Sequence, residues 1–224
     1  MTEEGKTLVF SQLMISLKID HPDHAFLNPH FLATSGIVPA SWEISEFLVV
    51  SGQTTEVKFD NGMSIVGSKG TIMFVERLHE QPPEASMASG MARRFVATLP
   101  DLGYRAVVSG FTGDLILSKG EWDRVAVDNL SCKGPWLQFH GRTGGATARM
   151  CFSAEGITVG LSGDEDDRMW LEHEGTTVVS FDAEFERPVP RKGGVQPILK
   201  CIDLWESDLM TLEAFVYESF VFGT

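Results

Sequence analysis

The stretch from Thr54 to Glu76 restricts the fold more than any other. From Thr54 to Asp60 the side chains alternate, with Val57 and Phe59 on one face and Glu56 and Lys58 on the other. That is the period of a strand with one buried face. Asn61-Gly62 follows at once, a pair suited to the left-handed backbone of a tight hairpin turn. Met63 to Val66 and Thr71 to Glu76 continue as strands, parted by Gly67-Ser68-Lys69-Gly70, and the apolar run Phe47 to Ser51 precedes them. Strands joined by such short turns must pair antiparallel, because parallel neighbours need a crossover of about a dozen residues. The segment therefore predicts an antiparallel meander.

The flanks add helices. Leu8 to Ile19 reads as a first strand, ended by the turn His21-Pro22-Asp23-His24. Ala25 to Ser35 reads as a short helical stretch closed by Gly36. After Pro82-Pro83, Glu84 to Leu99 predicts a helix whose stripe is Met87, Met91, Phe95 and Leu99, with Arg93 and Arg94 off it and Pro100 as the stop. Tyr104 to Phe111 begins a second set of strands. Glu121 to Leu130 fits a helix or a strand equally. Trp136 to His140, Thr147 to Ser153, Ile157 to Leu161, Arg168 to Glu172 and Thr177 to Glu186 read as strands. After the connector Pro188 to Gly194, Val195 to Tyr217 is the clearest helix, with Ile198, Leu199, Ile202, Trp205, Leu209, Leu212 and Val216 at helical spacing.

The element order of residues 1–100 is roughly repeated in 101–224, which predicts one α+β domain of two related halves. Lys58 to Ile65 matches Cys151 to Val159 with one inserted residue, and Ile72-Met73-Phe74 then corresponds to Met169-Trp170-Leu171. In this order the chain resembles the TATA-binding-protein-like fold, over roughly Leu8 to Tyr217. The resemblance implies a large, curved antiparallel sheet with two principal helices on one face. It carries no residue motif of a DNA-binding member, so it implies no binding residues.

Composition narrows the function classes. The 224 residues are 43% hydrophobic and 22% charged, an ordinary globular balance. The formal charge is −13, with 11 acids against 7 bases in residues 1–100 and 20 against 11 in residues 101–224. Such a field opposes nucleic acid and anionic membranes. No apolar run approaches the ~20 residues of a membrane span. The acidic start Met1-Thr2-Glu3-Glu4 lacks the pattern of an export signal. Cys132, Cys151 and Cys201, odd in number and widely spaced, then read as reduced thiols of a cytoplasmic protein.

The chemical motifs each have a plainer reading. His21, Asp23, His24 and His30 are zinc-ligand types, but they flank a proline turn, and no metal is expected. Asp164-Glu165-Asp166-Asp167 lacks the spacing of a calcium loop and reads as a solvated hairpin tip. Gly141-Arg142-Thr143-Gly144-Gly145 lacks the ending of a phosphate-binding loop and reads as an inter-strand loop. Cys132, Cys151 and His140 show no nucleophile motif, and Cys151 falls in a strand. No cofactor motif is present. Period-two alternation sets Met73, Val75 and Trp170 opposite Ile72, Phe74, Met169 and Leu171. Large apolar groups on both sides mark either a contact face or strands buried on both faces. The leading expectation is a non-enzymatic protein-binding or assembly module using the open face through Met73, Val75 and Trp170, with a protein partner or a second copy. The alternative is an enzyme or small-molecule binder with a pocket between the halves at Arg105, His140 and Arg142.

Overall fold

The computed structural model describes residues 7–20, 27–50, 54–79, 81–117, 139–143, 146–154, 160–161, 169–170, 177–190 and 193–217. The first half runs β1 (Thr7–Ile19), α1 (Pro29–Thr34), β2 (Ile44–Val50), β3 (Thr54–Phe59), β4 (Met63–Ser68), β5 (Thr71–Arg77) and α2 (Ala88–Thr98). The second runs β6 (Tyr104–Leu117), β7 (Phe139–Thr143), β8 (Ala146–Ala154), β9 (Gly160–Leu161), β10 (Met169–Trp170), β11 (Thr177–Pro188), α3 (Gln196–Ile202) and α4 (Trp205–Val216).

This is an α+β fold. Nine described strands form one open sheet in the order β2-β3-β4-β5-β1-β6-β11-β8-β7, and every pairing is antiparallel. The predicted meander is β2 to β5. Asn61-Gly62 turns β3 into β4, with Gly62 at φ +86° and the Asn61 side chain accepting from the Met63 N–H at 3.1 Å. Two long strands, β1 and β6, lie at the centre. Gly113 lets them approach there, because a Cβ would stand 2.3 Å from the Val9 carbonyl oxygen.

One face of the sheet is the core. Leu13, Ile15 and Leu17 of β1, Ile72 and Phe74 of β5, Phe111 of β6, and Phe181 and Phe185 of β11 are buried there. Helix α2 packs on β1 and β5, and α3 and α4 pack on β6. The buried stripe of α2 is Ala88, Met91, Ala92, Phe95 and Val96, while Met87 is exposed. Six of the seven apolar residues expected to pack in the closing helix are buried, and Leu199 is half-buried.

Several boundaries differ from the sequence reading. The helix expected over Glu84 to Leu99 begins instead at Ala88, after a single 3-10 turn at Pro83–Ala85. The buried carboxylate of Glu76 accepts from the Ser86 hydroxyl at 2.6 Å and the Met87 N–H at 2.7 Å, and Ser86 Oγ accepts from Ala88 N–H. These contacts set the start, where a negative group also meets the favourable end of the helix dipole. The expected single helix Val195 to Tyr217 breaks at Asp203-Leu204. Asp203 is held by Arg93 of α2, and Asp208 by Arg187 of β11. Each half of the helix is thus tied to a different element.

The expected loop at Gly141-Arg142-Thr143 is strand β7, hydrogen-bonded to β8. The correspondence of Met73 with Trp170 does not hold in the sheet. β5 lies beside β1, but β10 pairs with β9 in a separate two-stranded sheet. A strand has two edges, and those of β6 are taken by β1 and by the long strand β11. Thus β11, not β10, stands to β6 as β5 stands to β1. The turn residues His21 to His24, the segment Glu121 to Leu130, Cys132 and the acidic run Asp164 to Asp167 lie outside the described residues.

Candidate functional site

Opposite the core, the first half carries a groove of about 600 Å³ across β1, β5, β4 and β3. Register places its side chains in two cross-strand rows. One runs Met14, Val75, Ser64, Lys58, and the other runs Met73, Val66, Glu56, with Met73 in register with the buried Ser16 of β1. Partners directly opposite in antiparallel strands share a face, so the alternation that buries Ile72 and Phe74 turns Met73 and Val75 into the groove. Met73, Val75, Met14 and Val66 make an apolar floor and are only partly buried. Gly110 of β6 lies opposite Met14, and a Cβ there would stand 2.6 Å from Met14 Cε. The missing side chain gives Met14 room to lie over the central strand.

Polar groups form the rim. Lys58 donates to Glu46 at 2.7 Å and lies 3.7 Å from Glu56. The Glu46 hydrogen bond raises the Lys58 ammonium above its ordinary pKa. Arg77 and His79 stand at the end beside Gly62, and Gln12 of β1 is opposite Arg77. His79 adopts φ +34°, uncommon for a residue with a side chain. Methionine side chains are flexible and polarizable, so such a floor adapts to differently shaped apolar groups.

The structure separates the other residues singled out in the sequence. Trp170 is on β10, which pairs with β9, and among the described residues it does not join Met73 and Val75 in the nine-stranded sheet. Arg105 lies at the end of β6, 3.2 Å from Asp20 and donating to the Ile19 carbonyl at 3.0 Å. His140 and Arg142 are on the edge strand β7, in register with Arg149 and Thr147. β11 and β8 stand between Arg105 and that strand, a separation of roughly 14 Å by sheet spacing alone. Met14, Val66 and Gln12 escaped the sequence reading. Alternation along β1 and β4 marks them as outward positions, but which strands lie side by side is not a local property.

Among the described residues, no group of three or more His, Cys, Asp or Glu side chains is placed to hold a metal ion. His30 is exposed on α1. No described helix is long and apolar enough to cross a membrane. No protein-family model, no curated protein and no solved structure matches this chain.

Proposed function

We propose that the chain is a non-enzymatic protein-binding or assembly module of the cytoplasm, taking its partner on the open face of the sheet. The observation that carries this reading is the apolar floor Met14, Val66, Met73 and Val75 on the face opposite the packed helices. Contact sites on soluble proteins are commonly apolar patches with polar rims. A trough across four strands suits an extended or helical segment of a protein. Two cations of this face, Lys18 and Lys58, are paired with Glu186 and Glu46, which disfavours nucleic acid as the partner. The sheet order also supports two related halves of the TATA-binding-protein-like kind. Outward from the β1–β6 pair it runs β5, β4, β3, β2 on one side and β11, β8, β7 on the other.

A photo-crosslinking residue at position 73, compared with one at the exposed helix position Met210, tests this in cells. Protein adducts formed from position 73, absent from position 210 and lost in Met14→Glu without a change in melting temperature, are the expected result. Equal adducts at both positions, or none at position 73, would refute it.

A further inference from the structure

Strand β2 ends the sheet. It pairs with β3 along one edge, and no described strand pairs with the other. An open strand edge is a template for another strand, and natural sheets usually blunt it with lysine, proline or an inward-pointing charge. From Phe47 to Val50 β2 has none of these. Ile44 (46% exposed), Phe47 (46%), Leu48 (37%) and Val49 (60%) are all large apolar residues open to solvent. Phe47 and Val49 share a face with Val57 and Thr55, whereas Leu48 is in register with Glu56 on the other. Both faces of the edge therefore carry an exposed apolar side chain. The single charge of the strand, Glu46, is paired with Lys58, which also lies 3.7 Å from Glu56. A bulge lies between Ile44 and Glu46, and the ladder is regular from there to Val50.

The geometry points to a second copy of this chain as the occupant, its β2 pairing antiparallel with this β2 about a two-fold axis at Phe47. Symmetric pairing makes the same patch serve both partners. In this register Phe47 faces Phe47, an aromatic cross-strand pair, and Glu46 faces Leu48. No charge meets a like charge, which would be destabilising in direct opposition. A basic peptide is the competing occupant, because the whole chain carries −13. The edge itself, however, offers apolar side chains and a glutamate already paired with Lys58. The pairing extends the sheet and continues the row Met73, Val66, Glu56, Leu48 into the partner's strand, so the two grooves share a rim. This assembly does not depend on what the groove binds.

Sedimentation velocity on the full chain over a wide concentration range is the first test. The expected result is a reversible dimer that tightens as salt rises, because added salt screens the repulsion between two acidic copies. Val49→Lys and Leu48→Lys are expected to give monomers that melt like the unaltered chain. Register is tested by oxidation. Phe47→Cys should form a covalent dimer, because opposed antiparallel residues lie about 4.5–5.5 Å apart between Cα atoms, within disulfide reach. Ser45→Cys, opposite Val49 in this register, should crosslink no more than the unaltered chain. A monomer at every concentration, a dimer that survives both lysines, or equal crosslinking from positions 45 and 47 overturns the inference. If either lysine variant melts early, the cysteine pair decides.

Discussion

Arg187 and Asp208 form an ion pair beneath the helices, with side chains only 6% and 2% exposed. The guanidinium donates through both terminal nitrogens to the two carboxylate oxygens, tying β11 to α4. Attraction between such buried charges roughly offsets their desolvation, so the intact pair contributes modestly to stability. Removing one partner is different, because a charge is then left buried without compensation. Asp208→Ala is expected to cost about 3–5 kcal/mol in chemical denaturation, and Arg187→Leu combined with Asp208→Leu much less. A loss under ~1 kcal/mol in the single variant would mean that water reaches Arg187 and that the pair does not fix the helix. The sequence shows a lone arginine beside Pro188 and an aspartate on a helix, with nothing to link them. Their partnership across 21 residues comes from packing.

At the scale of elements, α3 and α4 are the part of the second half that closes the core. Ile198, Ile202, Trp205, Leu209, Leu212 and Val216 are buried. Each such side chain contributes about 1.5–3 kcal/mol relative to exposure, so the set is comparable with the ~5–15 kcal/mol by which a whole domain is stable. Truncation after Gly194 is therefore expected to give protein that is insoluble or lacks a cooperative melt. A soluble truncate with a sharp thermal transition would show that the sheet and α2 suffice. The helical spacing of these residues was legible because a 3.6-residue period repeats over several turns. The break at Asp203-Leu204 was not, because both residues keep right-handed helical backbone angles and the ties to Arg93 and Arg187 are distant in sequence.

For the whole molecule, the governing quantity is charge. At −13 the chain opposes the counterion release that supplies non-specific affinity for DNA. On the open face, Lys18 and Lys58 are held in ion pairs with glutamates at 2.7 Å. Duplex DNA at physiological salt is expected to show no mobility shift at micromolar protein. Salt-sensitive micromolar binding would contradict this.

What the sequence determined by itself is local. Alternation decided which side of β3 and β5 faces the core, Asn61-Gly62 decided the hairpin, and the apolar stripes decided which helical faces pack. These follow from backbone periods and turn chemistry acting within a few residues. Tertiary structure decided the order of strands. Only the pairing of β1 with β5 and of β5 with β4 brings Met14, Val75, Met73 and Val66 to one groove. Only the pairing of β11 with β6 gives the second edge of β6 to that strand and not to the one that carries Trp170. Each strand has two edges and many apolar competitors for them. The contest is settled by the joint burial of all the core faces, a property of the assembled chain that no single segment carries.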